Sequence, residues 1–117
     1  MMEQLRWSIV YVYLDPSVGR EHAGNRPALV VSDETFNQSM EVITVLPITS
    51  RKPARAVYPN EVLLSPEESG LEVESVVMAH QIRTISRHSI KRRAGRLTSP
   101  GLQKACVEAL QIHLGIY

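Results

Sequence analysis

The residues whose types and spacing could do chemistry are Arg26 and Thr49. Arg26 stands directly before an apolar, strand-like segment, and Thr49 stands at the end of the next one. Two neighbouring strands can bring such residues to the same edge of a sheet. A guanidinium there would stabilise developing negative charge, and a hydroxyl could hold an anionic oxygen. The residue types alone favour a structural alternative, in which Arg26 pairs with Asp15 or Glu21 and Thr49 caps a turn.

Other reaction chemistries lack their sequence signatures. The residues that could bind a transition metal are His22, His80, His88, His113 and Cys106. None has a partner at zinc-like spacing, and the carboxylates form no calcium or two-metal pattern. Gly19 and Gly24 lie between two predicted strands and not before a helix, so no phosphate-binding loop is expected. No Gly-x-Ser-x-Gly elbow is present. We therefore expect neither a metal nor a cofactor.

Composition and charge are those of one globular domain spanning residues 1–117, with 44% hydrophobic and 21% charged residues. The charge is unevenly distributed: residues 1–74 carry six Lys/Arg and eleven Asp/Glu, whereas residues 75–117 carry seven and one. One stretch holds six cations and no acid, namely Arg83, Arg87, Lys91, Arg92, Arg93 and Arg96. We call it the basic stretch. It fits either a dipolar protein surface or a face that binds a polyanion or an acidic partner.

The same composition bears on cellular location. No apolar segment approaches the roughly 18 to 20 residues of a membrane-spanning helix. The first residues lack the basic start and cleavage site of a secretion signal. A single cysteine, Cys106, cannot form an intrachain disulfide. We therefore expect a cytoplasmic protein.

Short β-branched and aromatic segments predict a chain made mostly of strands. The predicted strands are Ser8–Leu14, Pro27–Ser32, Glu41–Thr49, Asn60–Leu64, Glu74–Ala79, Ile82–Ile85 and Ala94–Leu97. Pro47 lies inside the third strand and suggests that this strand is an edge or contains a bulge. Residues 33–39 are predicted to form a single helical turn, with Asp33 as its N-cap.

One longer helix is predicted at the C-terminal end. Ser99 is a suitable N-cap, Pro100 suits the first helical position, and Gly115 is placed to end the helix. Cys106 lies on the apolar stripe of this helix, so we expect a packed thiol and not a reactive one. The fold class is therefore mainly β (a β-rich α+β protein), a small and strongly bent barrel with one helix packed outside it.

Several strings of residues resemble a known family when they are taken in order. They are LDP and GREHAGNRPALVVS within residues 14–32, PITS at residues 47–50, SVVMAHQIRTIS at residues 75–86, and GRL at residues 95–97, followed by a helix. In this order they resemble the MazF/PemK (Kid) toxins of bacterial type II toxin–antitoxin systems. The resemblance extends from about Trp7 to Gly115.

The resemblance implies a fold, an activity and partners. The fold is an SH3-like barrel of about seven strands with a C-terminal helix, which forms a homodimer. The activity is that of a metal-independent, sequence-selective endoribonuclease, which cuts single-stranded RNA or mRNA and so inhibits translation and growth. Attack by the RNA 2′-hydroxyl would leave 2′,3′-cyclic phosphate and 5′-hydroxyl ends. The partner is a cognate MazE-like antitoxin, which could also bring the toxin to operator DNA.

The resemblance also assigns site residues. Arg26, from the Arg-Pro pair, would be catalytic with Thr49, and Glu21 would contribute as a base. His80 stands where the family often carries an acid, so it is either a structural hydrogen-bonding group or a replacement base. The expected RNA-binding residues are Arg20, Ser50, Arg51, Gln81 and Arg83.

Trp7-Ser8 is a departure from the family pattern, because it replaces a glycine–acid pair at the start of the first strand. Trp7 would instead cover the core or a subunit contact. Two other functions stay open from the sequence. One is a protein-poisoning toxin on the same barrel, like the gyrase-directed CcdB toxins. The other is a module that binds RNA or DNA without cutting it.

Overall fold

The computed structural model describes residues 3–14 and 24–117, and these residues form one antiparallel sheet with three helices. The strands are β1 (Ser8–Leu14), β2 (Gly24–Val30), β3 (Val42–Ser50), β4 (Glu61–Leu64), β5 (Ser75–Met78), β6 (Arg83–Ser86) and β7 (Ile90–Arg96). The helices are α1 (Glu34–Ser39), α2 (Pro66–Ser69) and α3 (Pro100–Leu114). Short 3₁₀ turns occupy Ala79–Gln81 and Arg87–Ser89. The predicted seven strands and C-terminal helix are confirmed. No helix in the described part of the chain is long and apolar enough to cross a membrane.

The strand order is β4-β5-β3-β2-β1-β7, and β6 pairs with β3 beside this path. β3 is the centre of the sheet: its first half pairs with β6, its second half with β5, and its other side with β2. The expectation of an edge strand is therefore wrong, because β3 is paired on both sides. Pro47 lies between Val45, the last residue paired with β6, and Ile48, the first paired with β5. The missing N–H of Pro47 is tolerated because neither β5 nor β6 pairs with β3 at that position, where only β2 is paired.

The sheet separates two apolar clusters, which explains the alternating pattern of β1. Ile9 packs into the first cluster, whereas Val10 and Val12 pack into the second. α3 closes the first cluster with Cys106, which is fully buried. Burial raises the pKa of the Cys106 thiol to about 12, so the thiol stays protonated and packs as an apolar group. Trp7 lies in the first cluster, so it covers the core, the first of the two roles expected for it.

Local capping signals account for the helices. Asp33 accepts a hydrogen bond from the Thr35 backbone and Ser99 from the Leu102 backbone, as their predicted N-cap roles require. α2 was not among the predicted helices. It forms because Ser65 and Glu68 make a reciprocal capping box.

β7 is longer than the predicted Ala94–Leu97. It begins at Ile90 and pairs with β1 across two register shifts. Such irregularities interrupt the alternation of apolar and polar residues from which a strand is predicted.

A close backbone contact joins α2 to β7. Gly70 ends α2 with a φ of 78°, a conformation that glycine adopts without strain. A Cβ atom added at Gly70 would lie 2.6 Å from the Ala94 carbonyl oxygen, and one added at Gly95 would lie 2.5 Å from the Ser69 carbonyl oxygen. The two segments can pack this closely only because both residues are glycines.

Gly95→Ala is therefore expected to destabilise the fold. The added methyl group meets backbone atoms that cannot rotate away, so we expect the free energy of unfolding to fall by about 1–3 kcal/mol. Gly101→Ala is the matched control. Its added Cβ lies 3.7 Å from the Ser99 hydroxyl, and alanine favours a helix by up to ~1 kcal/mol. Urea unfolding at equal protein concentration measures both variants, and equal stability of the two would contradict the argument.

Candidate nucleic-acid interface

Arg26 and Thr49 come together where β2 and β3 separate. The paired part of these strands ends with Ala28 opposite Pro47. Two residues further along this register, Arg26 and Thr49 occupy facing positions. Both line one cleft of about 460 Å³. The tertiary structure thus brings together the two residues that the sequence singled out.

Neighbouring strands hold both residues in place. Arg26 is paired with Val12 of β1, and Thr49 is paired with Val76 of β5. Both side chains are half-buried, and their backbones belong to the sheet. Sites built on strands are held more tightly than sites on loops.

The cleft wall is a mixture of polar and apolar groups. Its lining residues are Tyr11, Asn25, Arg26, Pro27, Ile48, Thr49, Ser50, Lys52, Leu71, Glu72, Val73 and Ser75. Arg26 and Lys52 supply positive charge, and the hydroxyls of Thr49 and Ser50 can donate hydrogen bonds. Such a set of donors suits a phosphate group better than an apolar ligand.

Three charged or aromatic residues of the cleft wall were not expected from the sequence. Lys52 lies just after β3 and faces the cleft beside Ser50. Glu72 is a carboxylate of the cleft wall, and Tyr11 contributes from β1. Lys52 could have been found from the basic loop after the third predicted strand. Nothing in the local sequence marks Glu72 or Tyr11, because they reach the cleft only through the sheet topology.

The predicted RNA-binding residues are dispersed. Ser50 lines the cleft, as expected for a contact residue. Arg51 lies beside the cleft, where its guanidinium is 3.2 Å from Glu74 and also donates to the Arg55 carbonyl. Arg83 is half-buried on β6, opposite Val45. Arg20 and Glu21 lie outside the described residues.

His80 lies at a second pocket, of about 570 Å³. The lining of this pocket is Arg55, Tyr58, Pro59, Asn60, Glu61, His80 and Ile112, so among the described residues it shares no member with the cleft. Gln81 adjoins it, with its amide nitrogen 3.3 Å from His80 Nδ1. The structure therefore does not bring His80 and Gln81 to Arg26 and Thr49.

Glu61 is the centre of the second pocket, and its side chain is only 1% exposed. Its carboxylate accepts two hydrogen bonds from Arg55, at 3.0 and 2.8 Å, and one from the Tyr58 backbone at 3.1 Å. The fourth contact joins Glu61 Oε2 to His80 Nε2 at 2.8 Å. The Arg55 hydrogen bonds, helped by those of His80 and Tyr58, outweigh burial and lower the pKa of Glu61 to about 2.

Metal binding has no obvious place in the described residues. They contain no group of three or more His, Cys, Asp or Glu side chains arranged to hold an ion. His80 and His113 lie with their rings 6.3 Å apart, edge to face, and His113 is 3.5 Å from the Asn60 amide. These contacts are hydrogen-bonding and aromatic in character.

Comparison with known proteins supports a family assignment. Residues 5–114 match the family described as PemK-like, MazF-like toxin of type II toxin–antitoxin systems. The chain is 39% identical to endoribonuclease MazF9 of Mycobacterium tuberculosis, over 96% of this chain and 97% of the relative. It is 32% identical to endoribonuclease EndoA of Bacillus subtilis, over 95% and 94%. The crystal structure of MazE–MazF from Deinococcus radiodurans superposes with a TM-score of 0.73 at 25% identity, covering 96% of both chains.

Proposed function

Because this chain belongs to the PemK-like, MazF-like family of toxins of type II toxin–antitoxin systems, we propose that the cleft at Arg26 and Thr49 is where it cleaves RNA. The chain is an endoribonuclease toxin. Its relatives MazF9 and EndoA are endoribonucleases, and the chain aligns with nearly the whole length of each. The observation that carries the proposed site is the meeting of Arg26 and Thr49, from two strands, in one phosphate-compatible cleft.

The reaction can proceed with groups that RNA and protein supply. The 2′-hydroxyl of RNA attacks the adjacent phosphorus while the bond to the 5′-oxygen breaks. The products are a 2′,3′-cyclic phosphate and a 5′-hydroxyl. Arg26, a permanently charged planar fork, stabilises the negative charge that builds up on the non-bridging oxygens. Thr49 donates a hydrogen bond that holds one of those oxygens in place.

The reaction also needs a base that accepts the 2′-hydroxyl proton, and the departing 5′-oxygen takes up a proton from that protonated base or from water to become the 5′-hydroxyl. Glu21 is the candidate implied by the family resemblance, and Glu72 is a carboxylate that lines the cleft. His80 lies at the second pocket, so it would act as the base only if RNA or a partner subunit bridged the two pockets.

The pH dependence of cleavage identifies the base. The variants to compare are Glu21→Gln, Glu72→Gln and His80→Gln. The variant that lacks the base should lose the part of the pH–rate profile that the titration of this group produces in the wild-type protein.

The proposed partners follow from the family. A cognate MazE-like antitoxin would bind the toxin and restrain it, and through it the toxin could associate with operator DNA. An acidic, flexible antitoxin segment would complement the cations of the cleft.

We also propose a homodimer, and a cytoplasmic location where mRNA is available. Light scattering of the purified protein tests the dimer, since a monomer at all concentrations would exclude it.

The function is tested by incubating the purified protein with a long single-stranded RNA in excess EDTA. We expect cleavage at a limited set of sites, with 2′,3′-cyclic phosphate and 5′-hydroxyl ends identified by phosphatase and kinase treatment. Abolition by EDTA and recovery with Mg²⁺ would contradict the metal-independent mechanism. RNA binding without cleavage would favour a non-catalytic module. Growth arrest without RNA cleavage would favour a CcdB-like toxin.

A further inference from the structure

Arg92 borders the cleft, although neither the family resemblance nor the proposed mechanism uses it. β1 and β7 are paired, and Arg92 lies opposite Tyr11. The guanidinium carbon of Arg92 is 4.0 Å from the centroid of the Tyr11 ring, which is a cation–π contact. Since Tyr11 is part of the cleft wall, this contact holds the Arg92 charge beside the cleft.

Neighbouring arginines of the basic stretch are occupied with structural contacts. Arg87 lies 3.5 Å from Glu41, and Arg93 lies 3.4 Å from Glu3. Arg96 donates to the Arg6 carbonyl at 3.0 Å. Arg92 is exposed and forms no ion pair with any residue that the structure describes. Its N–H donors are therefore available to an anion.

We propose that Arg92 binds a backbone phosphate of the RNA strand next to the one that is cut, with Tyr11 holding the guanidinium in position. The inference rests on the proposed cleavage in the Arg26–Thr49 cleft. When one phosphate of the RNA is bound at Arg26, the strand continues past the cleft wall. Its neighbouring phosphates can then contact a cation at the border of the cleft. A guanidinium stacked on a ring loses less freedom on binding than an unsupported one. Arg92 is thus a substrate-binding residue.

The test is the binding of Arg92→Ala to a single-stranded 2′-fluoro RNA, which cannot be cleaved because it lacks the attacking hydroxyl. We expect the Kd to rise roughly tenfold and the slope of log K against log salt to fall by about one. With cleavable RNA we expect a higher KM and an unchanged kcat. Arg92 is exposed, so the melting temperature should stay the same.

Three further variants keep the test specific. Lys104→Ala removes the same charge from an exposed position of α3 and should leave the Kd unchanged. Arg92→Lys keeps the charge without the planar fork and should bind with intermediate strength. In a Tyr11→Leu background, Arg92→Ala should cost less than it does alone, because the support is already lost.

Several outcomes would overturn the proposal. They are an unchanged Kd for Arg92→Ala, an equal loss for Lys104→Ala, or full additivity with Tyr11→Leu. A loss confined to one RNA sequence would mean that Arg92 contacts a base and not a phosphate. Failure of the wild-type protein to cleave RNA would refute the proposed function instead. The binding measurement is independent of that result, since its probe is never cut.

Discussion

Arg26→Ala is expected to lower the rate of RNA cleavage by about 10²–10³-fold, because the proposed mechanism assigns to Arg26 the charge that stabilises the phosphate in the transition state. Arg26 and Lys52 are the two cations among the described residues that line the cleft, so the truncation leaves only Lys52 of this pair. Single-turnover cleavage with saturating protein measures this effect, because under that condition the rate reports the chemical step and not binding.

Two further substitutions separate charge from geometry. Arg26→Lys keeps a positive charge but loses the planar fork, so it should recover only part of the rate. Thr49→Val preserves the shape of the side chain and removes one hydrogen bond, so a smaller loss of roughly tenfold is expected. Circular dichroism and melting curves should match those of the wild-type protein for all three variants.

The control for Arg26 is Lys104→Ala, which removes a cation outside the cleft lining. It should cleave at the wild-type rate. If Arg26→Ala cleaved within a factor of about three of wild type, the cleft would not be the reaction site. Loss of cleavage in His80→Ala, together with activity in Arg26→Ala, would move the site to the second pocket.

Glu61→Gln is expected to lower the free energy of unfolding by about 3 kcal/mol, because it breaks a buried ion pair while leaving its partners in place. Arg55 would lose a carboxylate that it contacts through two hydrogen bonds, and His80 would lose its contact at 2.8 Å. Urea unfolding at pH 7 and fixed protein concentration measures the change. His88→Gln is a suitable control, since the partner of His88, Glu41, is exposed and such pairs contribute little.

The same substitution should alter the acid sensitivity of the fold. The pKa of Glu61 is about 2 in the folded protein, compared with 4.5 without perturbation. A lowered pKa means that the ionised carboxylate stabilises the fold fully above pH 4.5, and that this contribution is lost as the pH falls from 4.5 towards 2. The difference in stability between wild type and Glu61→Gln should therefore be largest at neutral pH and shrink over that interval. A difference that grows on acidification would contradict the assignment.

Glu61 also bears on the cleft through the segment that joins β3 to β4. The start of this segment, next to Ser50, contains Lys52, which lines the cleft. Further along the segment, Arg55 and the Tyr58 backbone donate hydrogen bonds to Glu61. A decrease in cleavage by Glu61→Gln under conditions where the variant is fully folded would mean that this connection positions the cations of the cleft. The stability of Glu61→Gln has to be measured first, because partial unfolding of the variant also lowers the rate of cleavage.

Much of the architecture was predictable because its signals are local. The alternation of β1, the Asp33 and Ser99 caps, and the apolar stripe that contains Cys106 depend on residues close together in the chain. Pro47 was misleading for the opposite reason. Whether a proline can occupy a central strand depends on which strands lie beside it, and those come from distant parts of the chain.

By itself the sequence determined the residue types of the site, the strands that carry them and, through an ordered set of motifs, the family. It could not determine distances between strands. Only the tertiary structure decided that Arg26 and Thr49 share a cleft, that His80 pairs with Glu61 at another pocket, and that Tyr11 holds Arg92 at the cleft border. The physical reason is that sheet register and strand order place side chains from distant segments in contact, and neither is encoded in local spacing.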